Sequence, residues 1–189
     1  MHVIRPMTTA DVPEGMRLKA EAGWNQGPAD WARFLALDGE GCFVAESEGR
    51  VVGSATSCRF GPVAWIAMLL VEKARRGRGV GGALLRHVLM WLESVGVRSV
   101  RLDATREGRP LYESLGFRVD FHLDRYAGIP VGAGLAEEAR VATPADLAGL
   151  ADLDRAATGA DRRVLIDRLI HDNPCGSLAS PDGRGFVLW

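Results

Sequence analysis

The sequence predicts an α/β protein in which helices pack on a mixed β-sheet. Its apolar residues change their spacing along residues 1–127, from a period of two in strands to 3.6 in helices. An almost wholly apolar run at residues 63–71 is typical of a strand that is buried on both faces. A glycine-rich loop and a strongly amphipathic helix follow this run, so strands and helices alternate around one core.

The predicted elements of this first segment follow the order β-α-α-β-β-β-α-β-α-β. They occupy, in that order, residues 2–5, 11–22, 31–37, 42–46, 51 onward, 63–71, 83–95, 97–104, 110–115 and 117–126. Thr8, three residues before Asp11, predicts the start of the first helix. The stretch 24–28 interrupts that helix, and Asp30 predicts the cap of the second. A tight turn at residues 48–50 joins two strands into a hairpin.

The later elements are predicted from the helical spacing of apolar residues and from residues that typically begin or end helices. Gly96 predicts the end of the long helix, and Pro110 and Gly116 suit the first turn and the end of a short one. Residues 117–126 then predict the last strand. The long helix has one apolar face, formed by Leu84, Leu85, Val88, Trp91, Leu92 and Val95.

Composition and charge exclude several classes of protein. A formal net charge of −1 gives no general attraction to nucleic acid or to an anionic membrane. Cys42, Cys58 and Cys175 form no CxxC pair, so neither a disulfide framework nor a metal site is predicted. The N-terminus lacks the pattern of a signal peptide, and no apolar run is long enough to span a membrane. We therefore expect a soluble, cytoplasmic protein.

A second set of the early signals follows a glycine-rich stretch at residues 128–137, which predicts a linker. The pattern Arg-x-x-Thr-x-x-Asp at residues 5–11 recurs at residues 140–146. Two later features recur in the same order, an Ala-Asp pair at 29–30 and 160–161 and an acidic-Gly-Arg turn at 48–50 and 182–184. The alternative is chance similarity of capping motifs, which are common.

An internal repeat would divide the chain into a first domain at residues 1–127, the linker, and a second domain at residues 138–189. We expect the second domain to be a partial copy of the first, because it has no glycine-rich loop like that at residues 75–82. Half a sheet leaves an unpaired edge. That edge would pack on the first domain or on a second chain, as in a homodimer.

The glycine-rich loop carries the strongest chemical signal, the sequence Arg-Gly-Arg-Gly-Val-Gly-Gly at residues 76–82. Several glycines let backbone N–H groups approach a ligand closely. The start of the following helix adds unpaired donors and a partial positive charge, which suit a phosphate or pyrophosphate. Arg75, Arg76 and Arg78 add cationic donors at the same place.

The sequence of this loop fits two kinds of anion-binding site. Gly77, Gly79 and Gly82 fit G-x-G-x-x-G, the dinucleotide fingerprint of a nicotinamide oxidoreductase, and Asp103 ends the next strand. However, residues 72–76 separate the strand from the first glycine, and an antiparallel hairpin precedes the loop instead of a parallel βαβ series. A Walker A loop is excluded, because no Gly-Lys-Ser/Thr follows.

Arg76, Gly79 and Gly81 meet the pattern R-x-x-G-x-G, and with it the first domain resembles the GNAT superfamily of N-acetyltransferases. The resemblance rests on three motifs, at residues 68–71, 76–82 and 111–117. It implies the GNAT fold, a loop that holds the pyrophosphate of acetyl-CoA, and a preceding strand that pairs its backbone with the pantetheine arm. The residues that it assigns to acetyl-CoA are Leu69, Leu70, Val71, Arg76, Gly77, Arg78, Gly79, Val80, Gly81, Gly82 and Thr105, the last in place of the family's usual asparagine.

The implied reaction is direct acetyl transfer to the primary amine of a small-molecule or peptide acceptor, with the oxyanion held by a backbone N–H near Leu70. Tyr112 matches the tyrosine that often protonates the departing thiolate in this family, and a phenol with a pKa of about 10 stays protonated at neutral pH. Trp24 and Asn25 lie between the first two helices, where this fold lines the acceptor pocket. No general base is identified; the candidates are Glu21, Asp30, Asp103 and a water relay.

Two alternatives to an acetyltransferase stay open. A GNAT-fold protein could bind acyl-CoA without turnover, as a sensor or interaction module, with Tyr112 serving as a core aromatic. The other alternative is the nicotinamide oxidoreductase, which binding of NAD(H) in preference to CoA would support.

Overall fold

A computed structural model of the chain describes residues 2–124 and 139–188, and the chain divides into two compact units, residues 1–122 and 123–189. The first unit contains β1 Val3–Pro6, α1 Val12–Ala22, α2 Pro28–Asp38, β2 Phe43–Ser47, β3 Arg50–Phe60, β4 Val63–Val71, α3 Val80–Ser94, β5 Ser99–Arg101 and α4 Arg109–Ser114. The second unit contains β6 Arg140–Val141, α5 Leu147–Thr158, α6 Arg163–Asp172, β7 Leu178–Ala179 and β8 Phe186–Val187.

The first unit has a five-stranded sheet with the strand order β1-β2-β3-β4-β5. The strands β1 to β4 pair antiparallel, whereas β5 runs parallel to β4. Helix α3 makes the connection from β4 to β5, because two parallel strands need a crossover and not a tight turn. The predicted α/β class, a mixed sheet flanked by helices, is confirmed.

Helices cover both faces of this sheet. On one face, α3 buries Leu84, Leu85 and Val88 completely against the strands, as its apolar pattern predicted. On the other face, α1 and α2 bury Trp31, the largest fully buried side chain. Gly15 lets α1 approach it, because a Cβ atom there would lie 3.0 Å from the Trp31 ring.

The second helix begins earlier than predicted, at Pro28 and not at Trp31. A proline fits this first position, because it has no N–H group that the helix would leave unpaired. Asp30 therefore lies in the first turn, where its carboxylate accepts the backbone N–H of Gly27 at 2.7 Å. The N-cap is Gly27, so the predicted N-cap position of Asp30 is wrong, and Asp30 supports the start of the helix from inside its first turn.

The predicted last strand at residues 117–126 is wrong over residues 117–124, which form no strand. Their apolar side chains do alternate, and Val119, Phe121 and Leu123 are 47%, 67% and 62% exposed. Strand β5, shorter than predicted, pairs only with β4 in the part of the chain that the structure describes. A period-two pattern makes a strand only where a partner strand is available, because strand stability comes from cross-strand packing.

The second unit has the order β6-α5-α6-β7-β8, with an antiparallel sheet β6-β7-β8. The first unit begins with the same order of elements. The core of the second unit contains Leu150, Ile166 and Ile170, and Asp154 is buried in an ion pair with Arg162. The predicted linker at residues 128–137, and Tyr126 at the end of the predicted last strand, lie outside the described residues.

Candidate functional site

Strand β4 has one more residue than its partner β3 between two of their pairs. Ser54 pairs with Leu70, and Thr56 pairs with Ala67. The extra residue makes a β-bulge, and Met68 within it has a φ of 49°, which is uncommon for a residue with a side chain. The hydroxyl of Ser54 donates a hydrogen bond to the carbonyl of Met68 at 2.8 Å. The sequence did not reveal this bulge. All nine residues of β4 are apolar, so no alternation of polar and apolar residues shows where an extra residue has been inserted.

Strands β4 and β5 are paired only at their first residues. The parallel pairs are Val63–Ser99, Ala64–Val100 and Trp65–Arg101. Beyond Trp65, the edge of β4 that faces β5 has no strand partner in the described chain. The three strand residues assigned to the cofactor lie on this stretch: Leu69 and Val71, which are half-buried, and Leu70, which is buried.

The glycine-rich loop connects β4 to the start of α3. Gly77 and Gly79 have φ values of 71° and 83°, left-handed conformations that favour glycine. Helix α3 begins at Val80, whose buried side chain leaves only its backbone N–H for a ligand. The exposed start of a 15-residue helix offers unpaired N–H donors at this point.

Two arginines of the loop are exposed beside these donors. Arg76 donates from Nε to the carbonyl of Val71 at 3.0 Å, which holds its side chain over the end of β4. Among the described residues, no ion pair involves Arg76 or Arg78, whereas Arg75 is paired with Glu48 at 3.0 Å. The guanidinium groups of Arg76 and Arg78 therefore remain available to an anion.

The strand, the loop and the helix of Tyr112 converge at Gly81. A Cβ atom on Gly81 would lie 3.5 Å from Val71 Cγ2 and 3.5 Å from Leu111 Cδ2. Leu111 precedes Tyr112 on α4, so the structure brings together three of the motifs that the sequence singled out. An added Cβ would make ordinary van der Waals contact here, which makes Gly81 a suitable position for substitutions.

Tyr112 is half-buried and packs edge-to-face on Phe117, with ring centroids 5.9 Å apart. Burial raises the pKa of its hydroxyl, so the phenol stays protonated at neutral pH. In the described part of the chain, no group lies within hydrogen-bond distance of that hydroxyl. Gly108 lets the ring lie close to the backbone, because a Cβ atom there would be 3.0 Å from Tyr112 Cε2.

Thr105 and the two acceptor candidates have different surroundings. Thr105 is exposed, and its hydroxyl accepts the backbone N–H of Gly108 at 3.2 Å. This hydrogen bond closes the turn that precedes α4. Trp24 is half-buried and packs on the cluster that contains Met68 of the bulge. Asn25 is exposed, with no contact that would assign it a role.

Two of the three candidate bases, Glu21 and Asp30, are held in other interactions. Glu21 accepts the backbone N–H of Lys73 at 3.0 Å and Arg17 Nη1 at 2.7 Å. The hydrogen bond from Lys73 is the main cause that lowers the pKa of Glu21, which makes this carboxylate a weaker base. Asp30 is taken up by its helix cap and by an ion pair with Arg33. Asp103 is exposed beyond β5.

Arg17 links helix α1 to the end of β4, a connection that sequence reasoning missed. It forms ion pairs with Glu14, Glu21 and Glu72 at 2.7–2.9 Å, and its Nη2 donates to the carbonyl of Val51 at 2.8 Å. Glu72 directly follows β4, so this network fixes the point where the chain enters the loop. Within the described residues there is no cluster of side chains that could hold a metal ion, and no helix there is long and apolar enough to cross a membrane.

Comparisons with known proteins agree on one family. The chain is 27% identical over 158 residues to the uncharacterized N-acetyltransferase YitH of Bacillus subtilis, covering 82% of this chain and 55% of YitH. It is 36% identical over 84 residues to glucosamine 6-phosphate N-acetyltransferase of Trypanosoma brucei brucei, covering 40% of this chain and 56% of that enzyme. The chain thus spans about half the length of these curated relatives.

A solved structure extends the similarity over both units. A Pyrococcus horikoshii protein assigned as an acetyltransferase superposes with a TM-score of 0.79 at 23% identity, covering 99% of this chain and 67% of that one. At this identity the likeness concerns the fold alone. The sequence model of the Acetyltransferase (GNAT) family matches residues 12–117, more than half of the 189 residues. The chain therefore belongs to the GNAT acetyltransferase family.

Proposed function

We propose that the first unit is an N-acetyltransferase, which transfers the acetyl group of acetyl-CoA to a primary amine. Membership of the GNAT family supports this activity. The observation that carries it is the convergence of the unpaired edge of β4, the glycine-rich loop and the helix of Tyr112 at Gly81. An extended arm that ends in a pyrophosphate needs just such a free strand edge next to a cluster of N–H donors.

The donor substrate would lie along β4. The backbone of Leu69, Leu70 and Val71 would pair with the amide groups of the pantetheine arm, since no described strand occupies this edge. The N–H groups of residues 77–82 and the guanidinium groups of Arg76 and Arg78 would hold the pyrophosphate. Thr105 is the weakest of these assignments, because its hydroxyl already accepts a hydrogen bond from Gly108.

The chemical step forms an amide and breaks a thioester. The amine nitrogen attacks the thioester carbonyl carbon, and a backbone N–H near Leu70 stabilises the oxyanion that forms. The C–S bond then breaks, and the hydroxyl of Tyr112 gives its proton to the thiolate sulfur. The attacking nitrogen would lose its proton to water, because the pKa of Glu21 is lowered, Asp30 is engaged at the start of α2 and Asp103 is exposed beyond β5.

The acceptor would enter from the side of α1 and α2, next to Trp24. This side chain packs on the same cluster as Met68, so it lies near the bulge from the face opposite α3. The test is a screen of amines with acetyl-CoA in which thiol release is measured. The screen includes glucosamine 6-phosphate, the substrate named for the trypanosomal relative, as well as peptide N-termini and aminoglycosides. Transfer to any amine supports the proposal. Binding of acetyl-CoA with no release of CoA thiol in the presence of any of these amines favours the non-catalytic sensor.

A nicotinamide oxidoreductase is not favoured. In the described chain, β4, α3 and β5 form a single parallel βαβ unit at the edge of an otherwise antiparallel sheet, whereas a dinucleotide site of the Rossmann type opens a series of such units. Titration with NADH alongside CoA tests this point directly, and tight binding of NADH alone would reverse the assignment.

We also propose that residues 138–189 are a partial second copy of the fold, joined to residues 1–127 by a linker at 128–137. The shared order of elements supports this, as does the recurrence of the Arg-Thr-Asp pattern. Residues 138–189 contain no glycine-rich loop like that at residues 75–82, so this segment would bind no acetyl-CoA of its own. Its sheet edge would pack on another surface, with a homodimer as one arrangement that measurement of the solution mass tests.

A further inference from the structure

Strand β3 carries three fully buried hydroxyl side chains, Ser54, Thr56 and Ser57. Hydroxyl groups are costly in the core of a sheet unless they form hydrogen bonds. Ser54 donates to the carbonyl of Met68 at 2.8 Å, and Ser57 donates to the carbonyl of Gly41 at 2.9 Å. The two serines therefore make the same kind of bond from the same strand, but only Ser54 bonds to the bulge of β4.

The bond from Ser54 reaches across the irregular part of the ladder. The regular partner of Ser54 is Leu70, yet its hydroxyl bonds to the residue two positions earlier. That residue, Met68, has the positive φ of the bulge, a conformation that persists only where its surroundings impose it. A bulge re-aims the backbone groups that follow it, here those of Leu69 and Leu70. The hydroxyl of Ser54 thus fixes the part of β4 on which the proposed oxyanion site depends.

We propose that Ser54 is a positioning residue for acetyl transfer. By holding the carbonyl of Met68, it keeps the bulge in the shape that presents the N–H near Leu70 to the thioester carbonyl. The proposal rests on the proposed function. It concerns the transition state more than cofactor affinity, because the pyrophosphate loop lies beyond Val71 and only the pantetheine contacts of Leu69 and Leu70 depend on the bulge. A shift of about 1 Å in a donor of this kind lowers a rate by up to ~100-fold.

The matched experiment compares Ser54→Ala with Ser57→Ala. Both variants remove one oxygen from a fully buried serine and leave one backbone carbonyl without its donor. We expect similar falls in Tm, of about 2–4 °C each. Only Ser54→Ala is expected to lower kcat, by ~10- to 100-fold, with a much smaller change in the KM for acetyl-CoA. Equal kcat values in the two variants, or a kcat in Ser54→Ala that matches the wild type, would overturn the proposal.

A second measurement separates this proposal from the proposed function. Amide NMR signals of Leu69 and Leu70 are compared between the CoA complex and the acetyl-CoA complex, which differ by the acetyl group alone. We expect the difference to shrink at least twofold in Ser54→Ala and to persist in Ser57→Ala. If no amine is acetylated in the screen, the proposed function fails and this comparison alone decides on Ser54. An undiminished difference in Ser54→Ala refutes the positioning role, even where acetyl transfer is established.

Discussion

The two units share one set of hydrogen bonds, here called the Arg-Thr-Asp corner, with the same donor and acceptor groups and similar distances. In the first unit, Arg5 Nη1 and Nη2 donate to the carboxylate of Asp11 at 2.9 and 2.8 Å, and Asp11 also accepts the N–H of Thr8 at 2.8 Å. In the second unit, Arg140 donates to Asp146 at 2.9 and 2.5 Å, and Asp146 accepts the N–H of Thr143 at 2.8 Å. Each corner ties the first strand of its unit to the start of the following helix.

The units differ in the length of their strands and in the presence of a glycine-rich loop. The first unit has a nine-residue β4 with a bulge, an unpaired edge and the glycine-rich loop. The strands described in the second unit are two residues long, and its sequence contains no R-x-x-G-x-G pattern. The Arg-Thr-Asp corner therefore belongs to the construction of the fold, whereas the proposed chemistry depends on the bulge, the free edge and the loop of the first unit.

The largest effect that sharpens this comparison is expected from Tyr112→Phe. The change removes one oxygen and little packing, because phenylalanine keeps the ring that packs edge-to-face with Phe117. If the hydroxyl protonates the thiolate, kcat should fall by ~10²-fold, the low end for general acid catalysis, because a thiol is a fairly acidic leaving group. The affinity for acetyl-CoA should stay the same, since the pyrophosphate loop is untouched.

The control for Tyr112→Phe is Tyr126→Phe, which removes the hydroxyl of the chain's only other tyrosine. Its kcat should equal that of the wild type. A Tyr112→Phe protein that unfolds at a lower temperature but keeps its kcat would show that Tyr112 is a core residue.

An intermediate effect is expected from breaking each corner in turn. Asp11→Asn should destabilise the first unit by about 1 kcal/mol, a value discounted because the Arg5 side chain is 36% exposed. Asp146→Asn should have a smaller effect, because the Asp146 carboxylate is more exposed than that of Asp11. Hydrogen exchange of the amides in each unit measures both effects. A larger loss of stability from Asp146→Asn than from Asp11→Asn would contradict this order.

The effect of Asp11→Asn should depend on pH in one direction. Hydrogen bonds from Arg5 are the main cause that lowers the pKa of Asp11 to about 2, below its value in the unfolded chain. The stability that Asp11 contributes is therefore complete above about pH 4 and is lost as the pH falls through about 2. The difference between wild type and Asp11→Asn should be present at pH 7 and nearly absent at pH 2. A difference that grows in acid would contradict this assignment of the cause.

The smallest effect is expected from Thr56→Val. The hydroxyl of Thr56 is fully buried, and no described residue offers it a hydrogen bond. Valine keeps the shape of the side chain and removes the cost of burying an unpaired hydroxyl. We expect an unchanged or slightly higher Tm, by up to about 3 °C, in differential scanning calorimetry. A fall of several degrees would show that Thr56 has a partner within the sheet.

Most of the first unit could be predicted from the sequence, because its signals are local. The limits of β4 and the end of α1 near Ala22 follow from an apolar run and from a helix break. The loop was recognisable for the same reason, since glycines and arginines within seven residues need no tertiary information. What failed depended on partners distant in sequence. The alternating residues 117–124 form no strand, because β5 offers only three residues on which to pair.

In the candidate site too, local features could be predicted and features that depend on distant residues could not. The motif residues were predicted by their spacing, but the bulge at Met68 and the bond from Ser54 depend on the register between β3 and β4. No sequence pattern sets that register where both strands are buried. The role of Arg17 was missed for a related reason, because its partner Glu72 is 55 positions away. Glu21, a candidate base in the sequence, is engaged by that same arginine in the structure.

The most direct test of the account is calorimetric titration of acetyl-CoA into wild type, Gly81→Glu and Gly149→Glu. Both glycines lie in helices, one in each unit, and in neither would an added Cβ clash. We expect one acetyl-CoA per chain for wild type and for Gly149→Glu, and no binding to a folded Gly81→Glu protein. Two acetyl-CoA per chain, or an unchanged affinity in Gly81→Glu, would contradict the claim that the first unit alone holds the cofactor site.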